Sequence, residues 1–147
     1  MTKQEIIKFI DARTIVMLST IDNTGTPVMR ALINIRNGNI APHLVPLFKK
    51  DDRLLFITNT SSDKIGQIRK NPAASIYCYD DSFNGLLLTG HVKEIIDDAT
   101  KDALWDDSWK MYYPDGKDGG DFSILEFTPE DYKFYKEFSV KKGSIKW

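Results

Sequence analysis

The stretch "TNTSSDKIGQIRKNP", residues 58–72, decides how the chain is organised. It continues the apolar run "RLLFITN" (53–59), which predicts a strand, and its own pattern predicts a loop and then a helix from about Ser62 to Lys70. Pro72 ends that helix, because the residue before a proline avoids helical backbone angles. Two serines and a lysine therefore lie where unpaired backbone N–H groups favour an anion.

Two basic residues make an anion site a hypothesis, and each also has a plain structural interpretation. Lys64, in the first turn of the predicted helix, is either an anion ligand or a solvated residue beside a simple N-cap at Ser61 or Ser62. Arg30 lies inside the predicted strand "VMRALINIR" (28–36). It either faces water at a strand edge or faces inward, where a buried charge needs a partner.

Short strands joined by turns dominate the rest of the chain. "TIVMLSTI" (14–21) is apolar on both faces and predicts a buried strand. "NGN" (37–39) predicts a hairpin turn, residues 40–52 are ambiguous because of their prolines, and the tail "GSIKW" is unassigned. The order favours one mainly β (α+β) domain over residues 1–147, an antiparallel Greek-key barrel with peripheral helices. Further strands are predicted at 73–80, 86–96, 122–127 and 132–138, and further helices from Thr2 to about Ala12 and at 97–113.

Composition narrows the classes of function. The formal net charge is −1 and no Lys/Arg block occurs, so neither nucleic acid nor a membrane is an expected partner. The single cysteine, Cys78, excludes an internal disulfide, and no signal-peptide or membrane-spanning run is present, so we expect a cytoplasmic protein. His43 and His91 stand too far apart in sequence for a zinc motif, so no metal site is predicted. No G-x-S-x-G or P-loop motif occurs.

Three segments together resemble the FMN-binding split barrels of the pyridoxamine 5'-phosphate oxidase superfamily. They are "DNTGTPVMRALINI" (22–35), "LLFITNTSSDKIGQIRKNPAASIYCYD" (54–80) and "GLLLTGHVKEIIDDATKDALWDDSWKMYYPDGKDGGDFSILEFTPED" (85–131). The third is similar to the bacterial general stress protein 26 branch. The resemblance implies a six-stranded split barrel, a homodimer, and FMN in a groove that two subunits share.

The resemblance also implies roles for individual residues. Arg30 and Lys64 would hold the flavin phosphate, and Ser62 would hydrogen-bond to it. The ribityl chain and ring would lie along Ile57, Thr58 and Asn59, largely through backbone contacts.

An aromatic cluster at the end of the predicted 97–113 helix has two interpretations of its own. It is a candidate wall of the flavin or substrate pocket, or else plain packing of the helix on the barrel or on the second subunit. The cluster comprises Trp105, Trp109, Tyr112 and Tyr113.

The chain departs from the oxidases at several positions. Asp63 replaces a basic residue, Ile35 replaces a lysine, and Gly85 replaces a flavin-contacting glutamine. The C-terminal Arg-Leu-His signature has no counterpart in "YKFYKEFSVKKGSIKW" (132–147). We therefore expect weaker flavin retention, with FAD as an alternative cofactor, and no oxidation of pyridoxamine 5'-phosphate.

The expected function is that of a stress-related oxidoreductase in which FMN passes electrons between a nicotinamide donor and an unknown small acceptor. Two alternatives stay open at this stage. One is a non-catalytic flavin-binding or sensing protein. The other is a barrel that has lost its flavin and acts through protein contacts.

Overall fold

Seven strands, each paired antiparallel to its neighbours, form a single sheet in the computed structural model, which describes residues 1–147. No helix is long and apolar enough to cross a membrane. The strands are β1 (Ile15–Ile21), β2 (Pro27–Ile33), β3 (Leu54–Asn59), β4 (Ala73–Tyr79), β5 (Gly85–Ile95), β6 (Phe122–Lys136) and β7 (Ser139–Ser144). The α-helices are α1 (Lys3–Asp11), α2 (Val45–Phe48), α3 (Asp63–Lys70) and α4 (Asp98–Leu104).

The sheet curls without closing. The strand order is β2-β1-β4-β5-β6-β3, so β2 and β3 are the two ends and do not hydrogen-bond to each other. The long β6 pairs with β5 along most of its length, while its first part also pairs with β3 and its last part with β7. This arrangement confirms the predicted α+β split barrel with peripheral helices. It has seven strands where six were expected.

The buried hydrophobic side chains form two separate clusters. The larger joins α1 and α3 to the interior face of the sheet, with Ile6, Leu18 and Phe127 among its members. The smaller joins α2 and α4 to the starts of β3 and β6 and is centred on Phe122. At the start of α1, Thr2 and Glu5 form the capping box that their spacing suggests.

Several local predictions are wrong. Residues 37–39 do not form a hairpin, because the chain turns there into a 3₁₀ segment, Pro42–Leu44, and then into α2. Each of these helical segments carries proline near its first position, where its missing N–H costs nothing. The predicted strands 122–127 and 132–138 are one strand, β6, and the unassigned tail contributes to β7.

The helix predicted over 97–113 and the fully buried strand predicted over 14–21 also need correction. The helix ends at Leu104, since Trp105 is extended, and a 3₁₀ segment capped by Asp106 follows over Asp107–Met111. In β1, alternate residues from Val16 to Thr20 are buried, while the opposite face is half-buried or exposed. The strand therefore has one interior face in the isolated chain.

Gly90 lies at a β-bulge, where the pairing of β5 with β6 shifts register. A Cβ there would overlap the main-chain carbonyl oxygen of Thr128, which cannot move without breaking the sheet. We expect Gly90→Ala to lower the free energy of unfolding by about 2–3 kcal/mol in urea titrations. The control, Gly66→Ala in α3, meets no atom within 4 Å and should raise it by about 0.5–1 kcal/mol. Equal stability of the two variants would contradict this account of the bulge.

Candidate functional site

Arg30 points inward from β2 and contacts neutral groups. Its Nη1 donates to Thr20 Oγ1 on β1 at 2.6 Å, and its Nη2 donates to Gln67 Oε1 on α3 at 3.2 Å. Nη1 also lies 3.5 Å from the carbonyl oxygen of Leu18. No carboxylate forms an ion pair with Arg30, so only neutral groups hold the guanidinium in position.

Lys64 approaches the same place from the first turn of α3. Its Nζ donates to Thr58 Oγ1 at 2.7 Å and to Ser62 Oγ at 3.1 Å. Ser62 is the N-cap residue of α3, but its side chain makes no capping hydrogen bond. The hydroxyl therefore belongs to the lysine site, and the first N–H groups of the helix stay available to an anion.

The charges of Arg30 and Lys64 are close enough to affect each other. Loss of hydration lowers the pKa of Arg30. The pKa of Lys64 is also lowered, chiefly by desolvation and then by the positive charge of Arg30. Asp63 acts in the opposite direction on both groups, but it is exposed and forms no ion pair with either. An anion bound between the two cations would relieve both penalties.

The loop between β3 and α3 is held by Asp121, which lies just before β6. Its carboxylate accepts from Asn59 Nδ2 at 2.5 Å and from the backbone N–H of Ser61 at 3.0 Å. These hydrogen bonds, that of Asn59 first, lower the pKa of Asp121. Thr60 donates its backbone N–H to the carbonyl oxygen of Asp121 at 2.8 Å. The side-chain amide of Asn59 is therefore already hydrogen-bonded within the loop.

A groove of ≈ 530 Å³ opens between β2 and β3, where the sheet does not close. Thr58 belongs both to its wall and to the Lys64 site, so the groove and this site adjoin at Thr58. No charged side chain lines the groove. The lining residues are Ala31, Leu32, Ile33, Ile35, Ile40, Ile57, Thr58, Asn59, Ser108, Trp109, Met111, Tyr112 and Tyr113.

The aromatic residues of the predicted cluster occupy different positions. Trp109, Tyr112 and Tyr113 line the groove, and burial raises the pKa of Tyr113 to about 12, so its phenol stays neutral. Trp105 does not line it. Its ring packs edge-on against Phe122 at 5.1 Å between centroids, and its Nε1 donates to Asp107. Trp105 thus supports the wall from the core side.

Two of the positions that differ from the oxidases, Ile35 and Gly85, are accounted for by packing. Ile35 is buried in the smaller core cluster and contributes an apolar surface to the groove. At Gly85, the Tyr77 hydroxyl occupies the place where a Cβ would stand, so any larger residue requires that ring to move. Neither position supplies a polar contact.

Sequence reasoning missed Thr20, Gln67 and Asp121. Alternation along β1 places Val16, Leu18 and Thr20 on the buried face, and Thr20 is the one polar residue among them. Gln67 follows Lys64 by three residues and so lies on the same side of α3. No local signal identifies Asp121, because its contacts span about sixty residues. No group of three or more His, Cys, Asp or Glu side chains is arranged to hold a metal ion.

Comparison with known proteins places these features in a family. Residues 2–136 match the family model described as Pyridoxamine 5'-phosphate oxidase. A Clostridium acetobutylicum protein related to general stress protein 26 of B. subtilis is 29% identical, with a TM-score of 0.76 over 97% of this chain and 94% of that chain. No curated protein matches in sequence.

More distant structures share the fold. General stress protein 26 from Bacillus anthracis is 17% identical, with a TM-score of 0.72 over 97% of this chain and 98% of that chain. A pyridoxamine 5'-phosphate oxidase-related, FMN-binding protein from Nostoc punctiforme is also 17% identical, with a TM-score of 0.60 over 98% of this chain and 93% of that one.

Proposed function

We propose that this chain, which belongs to the pyridoxamine 5'-phosphate oxidase family, binds FMN with the flavin phosphate on Arg30 and Lys64. One observation carries the proposal. The two partly buried cations meet at one place, and each has only neutral hydrogen-bond partners. A phosphate monoester brings the negative charge and the acceptor oxygens that this pair lacks.

The groove fits the rest of the same molecule. FMN has an anionic end and a flat, largely apolar ring, and the chain offers a cation pair followed by an uncharged groove with aromatic walls. Thr58 stands at the junction, with Ile57 and Asn59 beside it. Since Asn59 donates its side-chain amide to Asp121, we infer that it meets the flavin through its backbone.

A second copy of the chain is part of the proposal. The outward face of β1 and β2 exposes apolar side chains, with Ile15 45%, Met29 62% and Ile33 49% exposed. Ile33 also lines the groove, so this face continues into the groove wall. A partner subunit covering the face would bury this surface and enclose the flavin.

We further propose an oxidoreductase that takes electrons from a nicotinamide donor and passes them to a small acceptor. FMN supplies the redox chemistry when bound, and the chain supplies binding, orientation and shelter from water. No carboxylate, histidine or cysteine lines the groove. Cys78 is buried elsewhere, and desolvation raises the pKa of its thiol to about 12, so it is an inert core residue.

The same observation keeps a non-catalytic flavin-binding role as the second candidate, since the groove lining includes no carboxylate, histidine or cysteine to serve as an acid or base. A role in the stress response rests on the likeness to general stress protein 26. Oxidation of pyridoxamine 5'-phosphate is not part of the proposal, because that substrate carries a phosphate of its own. No second cation pair lines the groove to receive it.

Lys64→Glu should separate phosphate recognition from ring binding. We expect the wild type to bind FMN at least tenfold more tightly than riboflavin. The variant should lose roughly 100-fold in FMN affinity with riboflavin affinity nearly unchanged, because a carboxylate that repels the phosphate replaces an ammonium that attracts it. Fluorescence titration measures both constants, and Lys50→Glu, at an exposed position outside the site, makes the same charge change as a control. Equal wild-type affinities for the two ligands would refute the phosphate site.

Anaerobic addition of NADH or NADPH to the FMN-loaded protein tests the oxidoreductase role. We expect the visible flavin absorption to bleach and to return when an oxidant is admitted. Free FMN at the same concentration gives the background rate. If the bound flavin bleaches no faster than free FMN with either donor, the non-catalytic role is the correct one.

Met29→Asp should weaken association between subunits. The wild type should have the mass of a dimer in light scattering at micromolar concentration, and the variant should shift toward monomer because a charge would be buried on the covered face. Ile96→Asp, an equally drastic change at a residue exposed away from β1 and β2, should stay dimeric. A monomeric wild type would exclude the shared groove.

A further inference from the structure

Gln67 has a side chain whose orientation is dictated by its neighbours. Its Oε1 lies 3.2 Å from Arg30 Nη2 and 2.7 Å from Thr20 Oγ1. A guanidinium can only donate, so the oxygen of the carboxamide must face Arg30. Thr20 Oγ1 already accepts from Arg30 Nη1 at 2.6 Å, so its own hydrogen goes to Gln67 Oε1 as well.

The other end of the carboxamide is therefore fixed as a donor. Both acceptor positions of Oε1 are used, and Nε2 makes no hydrogen bond with the protein and is not buried. Gln67 lines a polar cleft between α3 and the turn that joins β1 to β2. The other lining residues are Asp22, Asn23, Ser61, Ser62, Asp63, Gly66 and Lys70. The two N–H groups are thus presented beside the N-terminus of α3 and the hydroxyl that contacts Lys64.

We propose that Gln67 is a direct ligand of the flavin phosphate, contributing neutral N–H donors between Arg30 and the start of α3. The proposal rests on the FMN site described above and extends it to a residue on the helix. One carboxamide then has two roles, since its oxygen orients Arg30 and its nitrogen reaches the phosphate. Thr20, which is fully buried, acts on the phosphate only through Arg30 and Gln67.

The positive charge of the site favours a neutral donor at position 67 over a charged one. Arg30 and Lys64 already repel each other, and a third cation at position 67 would lower their pKa values further. A carboxamide adds hydrogen bonds to the phosphate without that repulsion. A carboxylate at the same position would pair with Arg30 and repel the phosphate.

The test replaces Gln67 in the full-length protein and measures FMN and riboflavin affinities by fluorescence titration. Gln67→Met keeps the length but removes both polar ends, and we expect about a tenfold loss of FMN affinity. Gln67→Glu should lose about 100-fold, and riboflavin affinity should change less than twofold in both. Gln4→Glu, at the only other glutamine and exposed on α1, should behave as wild type. If Gln67→Glu does not fold, Gln67→Met decides alone.

A double-mutant comparison separates a phosphate ligand from a residue that only positions Arg30. In an Arg30→Met background, Gln67→Met should still weaken FMN binding severalfold, because its donors reach the phosphate without the arginine. No further loss in that background would overturn the proposal, as would an unchanged ratio of FMN to riboflavin affinity in Gln67→Met alone. Equal FMN and riboflavin affinities in the wild type would instead remove the underlying FMN site.

Discussion

Two partly buried cations without an anionic partner determine how this molecule is organised. Arg30 and Lys64 each lose hydration, and the charge of Arg30 adds to the lowering of the pKa of Lys64. Neutral oxygens from Thr20, Gln67, Thr58 and Ser62 hold them in place without cancelling their charge. Such an arrangement costs free energy in the ligand-free protein, and binding of an anion would recover it.

The open seam of the sheet leaves space for a ligand next to this cation pair. Because β2 and β3 do not pair, their facing edges leave a groove. Thr58 on β3 lines this groove and also accepts from Lys64, while Arg30 lies on β2, which forms the other edge. The chain after α4 supplies the aromatic wall, with Trp105 and Phe122 anchoring it to the core. Closure of the barrel would remove the groove, so the fold and the site follow from the same missing strand pairing.

The features that the sequence predicts are those encoded within a few residues. The strand ending at Asn59, the helix starting near Ser62 and the inward alternation of β2 are local patterns, and the structure brings Arg30, Ser62 and Lys64 together. Contacts across long separations have no such signal, as Asp121 shows. The polar β7 shows no apolar alternation, and the break at Trp105 arises from its tertiary packing on Phe122.

The most direct test of the cation pair is to measure the ionisation of the bound phosphate. ³¹P NMR of FMN bound to the protein reports it as the pH is changed. The second pKa of a free phosphate monoester is about 6, so its resonance shifts as the pH passes through that value. Held by Arg30 and Lys64, the bound phosphate should stay dianionic, and its resonance should not move until the pH is well below 6. A bound resonance that titrates like that of free FMN would contradict the account.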